Sequence, residues 1–252
     1  DAVPDNTLLS MADEHDADGD GVSGRVNWIT LPEYITYRPG TVEKNNKYIG
    51  RFGKKAAVYD LMQQTANAYN QDMGIVSSYE PYDSYLHEDL DPEVTNQKVL
   101  DLVFYLRTLK APIQRNQNDA EVINGKQLFI NVGCAKCHTP ELKTGAYSIA
   151  ALANKTFQPY TDLLLHDMGS GLNDGYTEGS AHAEEWRTPA LWGLGLSKRS
   201  QGKQYFLLHD GRATTIEQAI TAHGGEGQGS NNRFQQLSAS DKAQLIKFLE
   251  SL

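Results

Sequence analysis

Cysteine is nearly absent from this chain: two residues in 252, Cys134 and Cys137. So small a number excludes a disulfide framework. Basic residues are outnumbered, with 23 Lys and Arg against 32 Asp and Glu for a formal net charge of −9. No basic stripe is visible, so nucleic acid is not expected as a partner. No run of about 18 apolar residues occurs, which leaves no candidate for a membrane-spanning helix. The opening Asp1-Ala2-Val3-Pro4-Asp5 has neither a basic n-region nor an apolar h-region, so a processed or truncated N-terminus is expected. What the chain has instead is an ordinary globular composition, 39% hydrophobic and 22% charged, with 22 glycines. Length and composition together suit one large or two small domains rich in loops.

The two cysteines stand in Cys134-Ala135-Lys136-Cys137-His138. This C-x-x-C-H spacing is the pattern of covalent haem attachment. One helical turn presents both sulfurs to the two vinyl groups of one porphyrin, and the adjacent histidine reaches the iron. A zinc site would need two further ligands at short spacing. No other Cys exists and the remaining histidines are scattered. A thioredoxin-like pair would sit beside a βαβ pattern, and none is visible. One covalent haem c, with His138 as an axial ligand, is the expectation.

The flanking pattern is helical. Asn118-Asp119-Ala120-Glu121 has capping-box spacing and opens a helix with Val122, Leu128 and Phe129 on its apolar side, ending near Gly133. Ser238 caps a final helix carrying Leu245, Ile246, Phe248, Leu249 and Leu252. The reading is a mainly α protein. Residues 113–252 form a cytochrome c-type haem domain with long loops. Residues 1–112 form a loop-rich N-terminal region, the remnant of a first cytochrome-like domain. A weak internal repeat supports the division: Leu102-x-x-Tyr105-Leu106-x-x-Leu109 matches Leu245-x-x-Phe248-Leu249-x-x-Leu252.

Further motifs follow in order: Leu165-His166-Asp167-Met168-Gly169, Trp186-Arg187-Thr188-Pro189, Leu208-His209-Asp210-Gly211-Arg212 and Ala222-His223-Gly224-Gly225-Glu226. Upstream lie Asp16-Ala17-Asp18-Gly19-Asp20-Gly21 and Gly50-Arg51-Phe52-Gly53. With the C-x-x-C-H, these resemble the di-haem oxidoreductase family, also labelled thiol oxidoreductases and related to bacterial di-haem cytochrome c peroxidases. The resemblance runs over nearly the whole chain. It implies an electron-transfer haem here and a second haem domain upstream in the intact protein, whose motif this sequence lacks. Attachment of haem c implies a periplasmic or otherwise extracytoplasmic location. In the related peroxidases a Met supplies the distal ligand where this chain has His223.

The second axial ligand is sought among His166, Met168, His182, His209 and His223. After the capping signature Thr214-Thr215-Ile216-Glu217, residues Ile216, Ala219, Ile220 and His223 share one helical face before Gly224-Gly225 stops the helix. His223 is therefore the leading candidate, with Met168 as the alternative. Arg212, Arg187 and His209 are candidates for the haem propionates. Trp186 and Trp192 are expected as pocket walls. Asp16, Asp18 and Asp20, followed by Gly21, match the first half of an EF-hand loop and suggest Ca²⁺, though the twelfth position is Asn27 rather than Glu. The functional expectation is a one-haem electron-transfer protein working with a redox partner or a second haem domain. The alternative is a peroxidase-type haem enzyme with an open iron position.

Overall fold

Helices carry most of the regular structure, and the sheets are small. The computed structural model describes residues 1–252. Its first stretch holds α1 (Asp5–Met11), β1 (Trp28–Ile29), β2 (Glu43–Lys44), β3 (Lys47–Ile49), α2 (Leu61–Asn67), β4 (Tyr82–Asp83), β5 (Glu88–Asp89) and α3 (Asn96–Thr108). Then come α4 (Ala120–Asn131), β6 (Leu142–Lys143), β7 (Thr156–Phe157), β8 (Leu165–Asp167), β9 (Glu185–Arg187), α5 (Leu194–Ser200), α6 (Ile216–Thr221), α7 (Gln228–Gln235) and α8 (Ala239–Ser251). All strand pairs are antiparallel, in the order β1-β3-β2 and as the hairpin-like pairs β4-β5, β6-β7 and β8-β9. No helix is long and apolar enough to cross a membrane.

The largest core is built by α4 and α8. On α4, Val122, Gly125 and Phe129 fall at i, i+3 and i+7 and all are buried. On α8, Leu245, Phe248 and Leu249 are buried, followed by Leu252. The helices meet at Gly125, where a Cβ would lie 2.7 Å from Phe248 Cβ and closer still to the Gln244 carbonyl oxygen. Only a hydrogen at that position lets the backbones approach so closely. Phe129, Tyr160 and Phe248 then stack edge to face at 5.4–5.9 Å between centroids. Asp119, not Asn118, caps α4 by accepting from the Glu121 N–H, and Ser238 caps α8 through the Asp241 N–H.

The segments on either side of position 112 share cores. Val3, Leu8, Val26 and Ile49 pack with Leu142 and Leu164, and Ala56 packs with Leu165 and Ala181. Arg25 and Leu165 exchange both backbone hydrogen bonds. Lys55 adds a polar tie: its buried ammonium donates to the carbonyls of His182, Ala183 and Glu185, each at 3.1 Å, and lies 3.3 Å from Asp174. Lys55→Met removes the donor and leaves three carbonyl acceptors without it, the Glu185 carbonyl in a buried bond. A loss of about 3 kcal/mol in denaturant unfolding is the expected result; an unchanged midpoint would contradict the tie.

The repeated Leu-x-x-aromatic-Leu-x-x-Leu pattern is used differently by its two helices. α8 buries all four positions. α3 packs Val99 and Val103 against Met62 of α2, and leaves Tyr105 59% and Leu109 53% exposed.

Candidate haem site

Gly133 at φ 91° ends α4 and turns the chain into a short 3-10 turn, Cys134–Lys136. The His138 N–H donates to the Cys134 carbonyl at 2.9 Å, closing the C-x-x-C-H loop on itself. Both cysteines are free thiols, half-buried. Burial pushes the Cys134 thiol up to about 12, which argues against a thiolate redox pair.

The His138 Nδ1 lies 3.0 Å from the Tyr160 carbonyl oxygen. Tyr160 is buried and adopts φ 56°, a costly conformation for a non-glycine residue. With Nδ1–H donating, Nε2 carries the free lone pair. His223 repeats the arrangement, its Nδ1 lying 2.7 Å from the Ala219 carbonyl. Desolvation lowers the pKa of both histidines, His138 to about 4, and a charge on His223 would further disfavour one on His138. Two neutral imidazoles thus stand near each other with Nε2 uncommitted.

α6 is shorter than its sequence pattern. It runs only from Ile216 to Thr221, is capped by Thr215 rather than Thr214, and leaves His223 in the turn beyond it. Met168 is a neighbour: a Cβ on Gly227 would lie 3.3 Å from both Met168 Cε and His223 Cδ2. The other candidates are committed elsewhere. His166 spends Nε2 on Asp162 at 2.9 Å and Nδ1 on Glu226 at 2.7 Å. His182 is exposed. His209 stacks on Trp186 at 3.8 Å between centroids, with the Lys55 ammonium also 3.8 Å from the Trp186 ring centre.

Among the propionate candidates, Arg187 and Arg212 differ in their partners. Arg212 pairs with Asp210 and has half of its side chain exposed. Arg187 donates to the Gly53 and Thr188 carbonyls and makes no salt bridge, and burial depresses its pKa. Trp192 lies against Phe157 and remains 37% exposed.

These residues fit a covalently held haem. Two free thiols, two neutral imidazoles with open Nε2, a half-buried guanidinium that makes no salt bridge and the unpartnered buried Tyr160 hydroxyl match the bonds a haem offers.

The acidic loop departs from the EF-hand expectation. Asp13, Asp16 and Asp18 bring their carboxylates within 4.8 Å of one another, while Asp20 turns to Lys136 at 3.0 Å. Asp13 and Asp16 already accept N–H groups from their own loop.

A polar cluster beside Cys137 was not anticipated from the sequence. His166 lies 3.5 Å from the Cys137 sulfur as well as against Asp162 and Glu226. Burial alone would lower its pKa, but the hydrogen bonds to Asp162, Cys137 and Glu226 raise it well above the ordinary value. Burial would raise the Glu226 pKa, yet His166, Ser23 and the Asp167 N–H bring it down to about 2. Glu226 closes the Ala222–Glu226 motif, a weak signal that the residues after His223 carry a task of their own.

The site and its surroundings are those of a haem protein. The chain matches the family described as "Di-haem oxidoreductase, putative peroxidase" over residues 1–252 and belongs to it. Among solved structures, the chain is similar to one described as Kuenenia stuttgartiensis hydrazine synthase pressurized with xenon, at 17% identity and TM-score 0.43. That match covers 75% of this chain and 61% of the other, less than two thirds of its length. No curated protein matches the sequence.

Proposed function

We propose that this chain carries one c-type haem for electron transfer, attached through Cys134 and Cys137, with His138 and His223 as its two axial ligands. The observation that carries this reading is the shared design of the two histidines. Each gives Nδ1–H to a backbone carbonyl and is kept neutral by its surroundings, so each keeps Nε2 for iron. The bound group would supply a one-electron Fe(III)/Fe(II) couple. The protein's part is to hold both imidazoles in place, so that no coordination position remains for peroxide. Arg187 is the proposed propionate partner, because its half-buried guanidinium bonds only the Gly53 and Thr188 carbonyls and makes no salt bridge. Met168 is the alternative distal ligand, favoured by its place beside His223.

The family name counts two haems, and this chain has one C-x-x-C-H. Helix α3 has the α8 pattern with its aromatic and last leucine exposed, as expected of a helix whose crossing partner belongs to another domain. An upstream haem domain is therefore proposed as the redox partner, in a protein working outside the cytoplasm. The test is to expose the reduced, haem-loaded chain to CO and the oxidised chain to hydrogen peroxide. Slow or absent CO binding and no peroxide turnover are expected. Rapid CO binding with turnover would overturn the reading in favour of a peroxidase.

A further inference from the structure

His223 is tied to the end of its own helix: its Nδ1 lies 2.7 Å from the Ala219 carbonyl and its N–H donates to the Ile220 carbonyl at 3.1 Å. It lies two residues past Thr221, the last residue of α6, and is followed by Gly224 and Gly225. A glycine pair after a helix end does not by itself aim a side chain. The next residue, Glu226, is fastened from several directions. One carboxylate oxygen accepts the Ser23 hydroxyl at 2.7 Å and the Asp167 N–H at 3.1 Å. The other accepts His166 Nδ1 at 2.7 Å, the Ser23 N–H at 3.0 Å and the Gly24 N–H at 3.4 Å.

The contacts continue to the cysteine loop. His166 bonds Asp162 through Nε2 at 2.9 Å and lies 3.5 Å from Cys137 Sγ, and the Asp162 N–H donates to the Cys137 carbonyl at 3.0 Å. A Cβ on Gly225 would lie 2.7 Å from the Gly169 nitrogen, so the His223 turn also touches the segment that follows β8 and His166, backbone to backbone. A largely buried hydrogen bond of this kind resists stretching more than an exposed one, because water replaces the lost partner less readily.

We propose that Glu226 and His166 form a buried strut between the His223 turn and the Cys137 loop, and that this strut keeps the His223 imidazole at the iron. They are positioning residues; neither touches the metal. The inference rests on His223 being the distal ligand. A loosened strut lets His223 leave more often, and an external ligand then enters sooner.

The experiment measures cyanide binding to the oxidised, haem-loaded chain in wild type, Glu226→Gln, His166→Gln, Ser23→Ala and His223→Ala, with circular dichroism to follow folding. Glu226→Gln and His166→Gln are expected to bind cyanide about tenfold faster than wild type with an increased high-spin fraction. Ser23→Ala, which removes one bond from the carboxylate, is expected to accelerate binding about two- to threefold, and as the mildest change it decides the matter if the other two do not fold. Wild-type rates and spectra in the folded strut variants would overturn the strut. If His223→Ala shifts the spin state while the strut variants do not, the strut alone fails. If His223→Ala leaves the spectrum unchanged, the ligand assignment fails, and the strut with it.

Discussion

Replacing His223 by Ala is expected to abolish the bis-histidine low-spin spectrum of the oxidised protein. The side chain presents a neutral imidazole whose Nδ1 is fixed by the Ala219 carbonyl at 2.7 Å, and no other histidine nearby is free. His166 has both ring nitrogens engaged, and His209 is stacked on Trp186. Met168 is a neighbouring group able to move in. A thioether in that position raises the reduction potential relative to a second imidazole. The single variant should therefore turn high-spin or acquire a Met–iron charge-transfer band, and His223→Ala with Met168→Leu should be wholly high-spin. A low-spin spectrum unchanged in the single variant would contradict the assignment.

Gly125→Ala is expected to destabilise the haem-loaded protein by about 2 kcal/mol, lowering its melting temperature by about 4–8 °C. The added methyl would lie 2.7 Å from Phe248 Cβ and overlap the Gln244 carbonyl, so α4 and α8 must separate. The effect spreads because Phe248 also stacks on Phe129 and Tyr160, and the Tyr160 carbonyl faces His138. Gly171→Ala is the control. Nothing lies within 4 Å of its Cβ position, and a change within about 0.5 kcal/mol is expected. Equal melting temperatures for the two variants would show that the crossing tolerates a side chain.

What the sequence reveals and what it conceals divide by whether the signal is periodic. The α4 and α8 helices are legible because caps and apolar residues recur at helical spacing, and both form. The same periodicity overreaches at His223, because α6 ends at Thr221 and the helical face stops short of it. Gly125 carries no periodic signal, since the need for a glycine comes from a helix more than a hundred residues away. The cluster of Ser23, Cys137, Asp162, His166 and Glu226 is hidden for a like reason. Its members come from loops scattered along the chain, and a buried polar network leaves no repeating pattern. Lys55 reads as a surface lysine until the fold wraps three carbonyls around it. The acidic loop shows the limit of motif counting. Spacing selects Asp16, Asp18 and Asp20, while the backbone brings Asp13 in and Lys136 draws Asp20 away.

The most direct test of the account is near-infrared magnetic circular dichroism of the oxidised, haem-loaded wild-type chain at neutral pH. The charge-transfer band of a low-spin iron between two imidazoles is the predicted result; a Met–iron band, or the signature of a high-spin iron with an open position, would contradict it.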